Sequence, residues 1–261
     1  MNSKKIILSF VILLTILAGG CSNSNKDEFA DKDFLKGFSK GLESRWNFTN
    51  KVDDNEKTEE EYVENLKKAT NLELQTLNDF SNKKFNDSKL QEAAIAYINE
   101  LKNGITVVDT YGSKSFDQDW DNHYASRTKM IVHFVDNYDI NISEKYKKTL
   151  NELKAHGNEV IKNETIEKSI QALFNNVTFE IEPQEYESDY KNYATTIENT
   201  TENDINNLSA TVNLLDNSGT IVDSQYLYAD NWKKGQKFKF RFMNDKKFDK
   251  SDISIKYYEI K

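Results

Sequence analysis

The residues SIQALFNNVTFEIEP, numbered 169–183, contain a change in the spacing of apolar side chains. Before Asn175 the apolar residues recur at intervals of three or four, as they do on one face of a helix. After Asn175 they alternate with polar residues, and Phe179 and Ile181 follow the two-residue period of a strand with one buried face. Pro183 comes next, where a linker or an edge strand tolerates proline. The chain is therefore predicted to be α+β, with helices first and strands after.

On the N-terminal side of this change, residues 31–175 are predicted to form a helical bundle. The first helix carries an apolar stripe with four-residue spacing: Phe34, Phe38, Leu42 and Trp46. Thr58 and Glu61 form a capping box, which opens the second helix because each side chain satisfies a free backbone amide of the other residue. We predict four more helices: a second capping box, formed by Ser88 and Gln91, opens the third, Ser143 caps the fifth, and the sixth is short. The short connections between them favour antiparallel neighbours.

On the C-terminal side, residues 176–261 are predicted to form a small β-sandwich. Several short strands with alternating apolar residues are separated by turn signals. The clearest turn is Asp216–Gly219, in which the glycine supplies the positive φ of a hairpin connection. Beyond the hairpin, basic and aromatic residues alternate along one strand: Lys237, Phe238, Lys239, Phe240, Arg241 and Phe242. This alternation predicts one buried and one solvated face.

Two segments of the C-terminal region carry a family pattern. Tyr193–Asn199 matches a strand motif "G-x-I-x-N" without its glycine, and Leu208–Gly219 matches "v-x-V-x-F-x-L-Y-D-x-x-G". Val212 stands in place of the motif Phe, and Leu215 in place of the motif Tyr. Over roughly residues 190–245 the chain thus resembles the FxLYD family of small Ig-like domains. The resemblance implies an Ig-like fold and a noncatalytic module of an extracytoplasmic lipoprotein.

The first residues are typical of a bacterial export signal. Two lysines precede the apolar run Ile6–Leu17, and its length of about 12 residues is short of the roughly 20 that a membrane-spanning helix needs. The only cysteine, Cys21, follows Ile-Leu-Ala-Gly-Gly. This arrangement resembles a bacterial lipobox, although Ala18 occupies the usual leucine position. The resemblance implies that Cys21 becomes a diacylglyceryl-modified N-terminus; the alternative is an ordinary cleaved signal peptide with an incidental cysteine.

This interpretation divides the chain into four parts. Residues 1–20 are the lipoprotein signal peptide, 21–30 a polar tether, 31–175 the helical bundle and 176–261 the Ig-like sandwich. Two acyl chains give lasting membrane attachment, so we expect the protein on the extracytoplasmic face of the cell membrane. Usage rich in Lys, Asn and Ile suggests an AT-rich genome, and Gly37–Trp46 resembles the start of other Gram-positive lipoproteins.

The composition disfavours several classes of function. There are 35 basic and 43 acidic residues, and the formal charge of −8 argues against nucleic-acid binding, which needs a basic surface. With 9 glycines, 1 proline and 1 cysteine, the chain offers neither a glycine-rich phosphate loop nor a disulfide framework. We predict no cofactor.

No catalytic residue or metal site is predicted. Asp117, Asp119 and Asp121 occupy the first, third and fifth positions of a calcium-loop pattern, but Asn122 and Thr128 replace the glycine and glutamate that it needs. An acidic first turn of a helix explains the run better. The three histidines lack ligand spacing, although one histidine with distant carboxylates stays open as a zinc site.

A basic set of residues is the remaining candidate for a binding patch: Lys233, Lys234, Lys237, Lys239 and Arg241. Such a face would suit an anionic wall polymer or a lipid headgroup. The competing interpretation is the solvated side of a strand, where charges prevent edge pairing. Tyr226, Tyr228 and Trp232 could extend the patch, but aromatic residues at alternate positions usually pack.

The leading functional hypothesis is a lipid-anchored surface lipoprotein that acts as a noncatalytic binding module. Its expected partners are the membrane, through the anchor, and a surface protein or an anionic wall polymer. The alternatives are an extracytoplasmic enzyme or solute-binding component, which would need a polar cleft, and a lipoprotein that excludes phage or toxins. Solute receptors usually alternate strands and helices, whereas this chain separates them.

Overall fold

The computed structural model describes residues 29–52 and 58–261. Within these residues five α-helices precede six strands, which confirms the α+β prediction. The helices are α1 (Asp31–Thr49), α2 (Glu59–Leu74), α3 (Ser88–Val108), α4 (Phe116–Asn137) and α5 (Lys147–Leu173). The strands are β1 (Glu180–Ile181), β2 (Lys191–Glu198), β3 (Ile205–Leu215), β4 (Ile221–Trp232), β5 (Lys237–Asn244) and β6 (Lys250–Ile260). None of the helices in the described ranges is long and apolar enough to cross a membrane.

The structure confirms one predicted helix start, at Thr58, and corrects two others, at Ser88 and Ser143. The capping box is confirmed, because Thr58 Oγ1 accepts a hydrogen bond from the Glu61 amide at 3.2 Å and the Glu61 carboxylate accepts one from the Thr58 amide at 3.1 Å. The cap of α3, however, is Asp87 rather than Ser88, because the Asp87 carboxylate accepts hydrogen bonds from the Lys89 and Leu90 amides. Ser143 makes no side-chain cap and precedes a short 3-10 turn.

The core of the helical half is largely aromatic. The stripe predicted on α1 is buried along its whole length. Phe38 packs against Tyr97 of α3 and Phe134 of α4, with ring centroids 5.1 and 4.6 Å away. Burying each such ring stabilises the fold by about 1.5–3 kcal/mol relative to exposure, so these contacts help to hold α1 in the bundle.

The predicted fifth and sixth helices are one continuous helix, α5. Its N-terminal half contributes Leu150 and Leu153 to the helical core. Its C-terminal end and the residue that follows contribute four apolar side chains to the core of the strands: Ile166, Ile170, Leu173 and Phe174. The division into two helices was wrong because the middle of α5 has few apolar residues to mark its period, and most of its side chains are exposed.

The strands form two three-stranded antiparallel sheets, in the orders β1-β2-β5 and β4-β3-β6. Their inner faces and the end of α5 enclose a second core that includes Trp232, Phe240 and Phe242. The β3–β4 hairpin turns at Gly219, whose φ of 86° confirms the predicted turn. Asp216 braces this turn because its carboxylate accepts hydrogen bonds from the Ser218 and Thr220 amides, each at 2.9 Å.

Candidate functional site

Two parts of the predicted site lie in different regions of the chain. Cys21 is outside the described residues, so its lipidation stays a prediction. The basic set lies on β5 and the turn before it, and all five of its members are exposed. The alternation on β5 holds, since Phe240 and Phe242 are buried while Lys239 and Arg241 face solvent.

Carboxylates neutralise part of this basic set. Glu182 forms ion pairs with both Lys239 and Arg241, and Arg241 Nε donates to it at 2.9 Å. These hydrogen bonds lower the pKa of Glu182. Glu202 pairs with Lys234 in the same manner. The positive charge that an anionic polymer would need is therefore smaller than the sequence suggests.

The outer side of the β4-β3-β6 sheet carries exposed aromatic side chains. Tyr226 and Tyr228 of β4 are 62% and 65% exposed, and Tyr257 of β6 is 56% exposed. In the strand register Ser209 of β3 lies between Tyr228 and Tyr257, and Thr211 lies beside Tyr226. We call the surface made by these five residues the tyrosine face.

Acidic residues flank the tyrosine face. Asp230 and Glu259 lie opposite Asn207 at one end, and Asp252 lies opposite Asn213 at the other. All three carboxylates belong to exposed residues. The surface therefore combines aromatic rings and hydroxyl groups with carboxylates at both ends.

The expectation that the aromatic residues of β4 pack is right for one of the three. Trp232 is 1% exposed, and its Nε1 donates to the Gln236 carbonyl at 2.8 Å. Tyr226 and Tyr228 remain exposed, because Leu227 and Ala229 take the inward positions between and after them. The alternation of apolar residues on β4 already indicated that these tyrosines face outward, since two adjacent positions of a strand cannot both face the core.

A network of charged side chains is buried in the helical half. Glu73 of α2 has no exposed surface. One of its carboxylate oxygens accepts hydrogen bonds from Arg45 of α1 at 3.1 Å and from Arg127 of α4 at 3.1 and 2.8 Å. The other oxygen accepts the hydroxyl of Tyr97 on α3. The network thus joins four helices, and sequence reasoning missed it.

Burial and mutual contact shift the pKa values of this network. Burial alone would raise the pKa of Glu73, but the guanidinium groups of Arg127 and Arg45 lower it below the ordinary value. Burial raises the pKa of Tyr97, so its hydroxyl stays protonated. Burial and then the neighbouring Arg127 lower the pKa of Arg45, whereas the pKa of Arg127 is raised by Glu73.

The remaining candidate metal ligands, which are aspartates and histidines, do not lie together at one site in the described residues. Asp117 and Asp119 lie in the first turn of α4, as the helix-start interpretation predicted. His123 is buried and its Nδ1 lies 2.5 Å from a Glu100 carboxylate oxygen, while its ring packs against Gly104. In residues 29–52 and 58–261 no group of three potential metal ligands comes together.

No protein-family model matches the chain, and no curated protein matches it significantly.

Proposed function

We propose that this chain is a lipid-anchored surface lipoprotein that binds another protein without catalysis, and that the tyrosine face is its binding surface. The observation that carries the proposal is the exposure of three tyrosines on one rigid sheet. Tyrosine supplies a large amphipathic contact area at low conformational entropy, and neighbouring hydroxyl side chains add adaptable hydrogen bonds.

The charge around the tyrosine face favours a basic partner. Asp230, Asp252 and Glu259 attract lysine and arginine side chains, and the tyrosine rings bind the same cations on their faces. An anionic wall polymer would be repelled by these carboxylates. The partner is therefore a protein with a basic surface.

The anchor at Cys21 completes the proposal. Two acyl chains confine the protein to the membrane plane, which raises its effective concentration for partners held at the same surface. Metabolic labelling with palmitate tests this step. We expect label and membrane fractionation for the wild type and loss of both for Cys21→Ser.

Photo-crosslinking on intact cells tests the binding surface. A benzophenone amino acid replaces Ser209 at the centre of the tyrosine face, and the control carries it at the exposed Ser113 of the helical half. We expect position 209, but not position 113, to crosslink a protein whose linked peptide is net basic. The yield falls as the salt concentration rises, because salt screens the attraction between exposed charges.

Matched variants show whether the tyrosines carry the interaction. Combined Tyr226→Ser, Tyr228→Ser and Tyr257→Ser should lower the crosslinking yield at least tenfold. Tyr186→Ser, at a tyrosine that is 81% exposed outside the face, should leave it unchanged. Equal crosslinking from positions 209 and 113, or capture of an anionic polymer, would contradict the proposal.

A further inference from the structure

The buried network in the helical half contains a charge that its own members do not neutralise. Arg45 and Arg127 contribute two positive charges and Glu73 one negative charge, while Tyr97 is held neutral by its raised pKa. The balance is one positive charge among side chains of which none is more than 10% exposed. An uncompensated buried charge strongly destabilises a folded protein.

The two arginines also keep unused hydrogen-bond donors. Arg45 bonds through Nη1 alone, and Arg127 bonds through Nε and Nη2. Arg45 Nε and Nη2 and Arg127 Nη1 have no partner in residues 29–52 and 58–261. In the same residues the fully buried side-chain atoms without a partner are His123 Nε2 and Asn244 Oδ1. The unused N–H groups therefore reach accessible space rather than the apolar core.

The space that both arginines border is a cavity of about 320 Å³ between α1, α4 and α5; Arg45 also borders a second cavity, of about 230 Å³, between α1 and α2. Both arginines line the larger cavity, together with the hydroxyl-bearing residues Thr49, Tyr124 and Thr149. Its volume is at the lower end of the range for small-molecule sites. One carboxylate, that of the exposed Glu152, lines the cavity and lies 3.7 Å from Lys148, which offsets its charge.

The geometry points to a binding site for a small oxyanion, such as an organic carboxylate or a phosphate, held by Arg45 and Arg127 in this cavity. A singly charged oxyanion balances the network, because its charge compensates the surplus guanidinium. Guanidinium groups bind carboxylate and phosphate oxygens through paired hydrogen bonds. The surrounding hydroxyl groups supply further donors.

This site is independent of the tyrosine face. It lies in the helical half, its ligand is a small anion rather than a basic protein, and its test uses no partner protein. A negative result for one proposal therefore does not contradict the other.

Nuclear magnetic resonance of the arginine Nε–Hε groups tests the site directly. The chain has three arginines, so Arg241 on the sandwich is an internal reference. The mature chain is titrated with sodium acetate and, separately, with sodium phosphate, against sodium chloride at equal ionic strength. We expect saturable shifts of the Arg45 and Arg127 signals and none of Arg241. Saturation by acetate alone identifies a carboxylate ligand, and saturation by phosphate alone a phosphate ligand.

Variants separate binding from folding. Arg45→Met should keep the fold, because Arg127 still satisfies Glu73 and the network becomes neutral, and should weaken oxyanion binding at least tenfold. Arg241→Met makes the same change of charge at a distant site and should bind as the wild type does. Should Arg45→Met fail to fold, Thr149→Met narrows the cavity without removing a charge and should cause the same loss.

Two results would overturn the inference. One is shifts of the Arg45 and Arg127 signals that do not saturate, or that chloride reproduces in full. The other is unchanged oxyanion affinity in folded Arg45→Met or, if that variant does not fold, in Thr149→Met.

Discussion

The carboxylate of Glu73 accepts hydrogen bonds from side chains on three other helices. Removing its charge leaves two arginines buried without a counterion. We expect Glu73→Gln, which keeps the shape of the side chain, to lower the free energy of unfolding by about 3–5 kcal/mol. Urea denaturation followed by circular dichroism measures this change.

The pH dependence of Glu73→Gln gives a second signature. The pKa of Glu73 is lower in the folded chain than the ordinary value of 4.5, so the unfolded chain takes up the proton first. The stability that Glu73 contributes is complete above this value and declines as the pH falls towards its folded pKa. The difference between wild type and variant should therefore shrink in acid. Glu60→Gln, at an exposed position of the same helix, should show neither effect; a loss near that of Glu73→Gln would contradict the argument.

At the scale of the element, α4 and α5 approach closely at one glycine. A Cβ added to Gly157 of α5 would lie 2.6 Å from Val132 Cγ2 and 2.7 Å from the Thr128 carbonyl oxygen. Backbone cannot yield as a flexible side chain does, so Gly157→Ala should destabilise the protein by about 1–3 kcal/mol, against the usual helix preference for alanine.

Thermal unfolding of Gly157→Ala checks this expectation. The control is Asn158→Ala, at the exposed neighbouring position of α5, which should leave the midpoint unchanged or slightly raised. A thermal unfolding midpoint for Gly157→Ala at or above that of the wild type would contradict this expectation, because it would mean that α4 and α5 move apart with no loss of stability.

Local sequence patterns predicted the helices and strands of this chain better than they predicted the buried contacts between those elements. The α1 stripe and the box at Thr58 follow from local periodicity and capping, which depend on neighbours in sequence. The burial of Glu73 depends on Arg45 and Arg127, which come together only when the helices pack, so no local spacing marks it. The tyrosine face lies between these cases, because the inward positions of Leu227 and Ala229 imply its exposure but not its acidic border.

At the scale of the whole molecule, α5 takes part in both apolar cores. Leu153 belongs to the helical core, whereas Ile170 lies in the core of the strands with no exposed surface. The change of period at Asn175 therefore does not coincide with the change of packing partner. The sandwich uses the end of a helix to cover its core.

This arrangement predicts which half each core residue stabilises. Ile170→Ala should remove about 2–5 kcal/mol and lower the hydrogen-exchange protection of β3 and β6 amides more than that of α1 and α3 amides. Leu101→Ala, at an equally buried position of α3, should do the reverse. Mass spectrometry of exchanged peptides from the full chain separates the two patterns. If both variants lower protection equally in helices and strands, the two cores unfold as one cooperative unit, and α5 transmits each loss across the molecule.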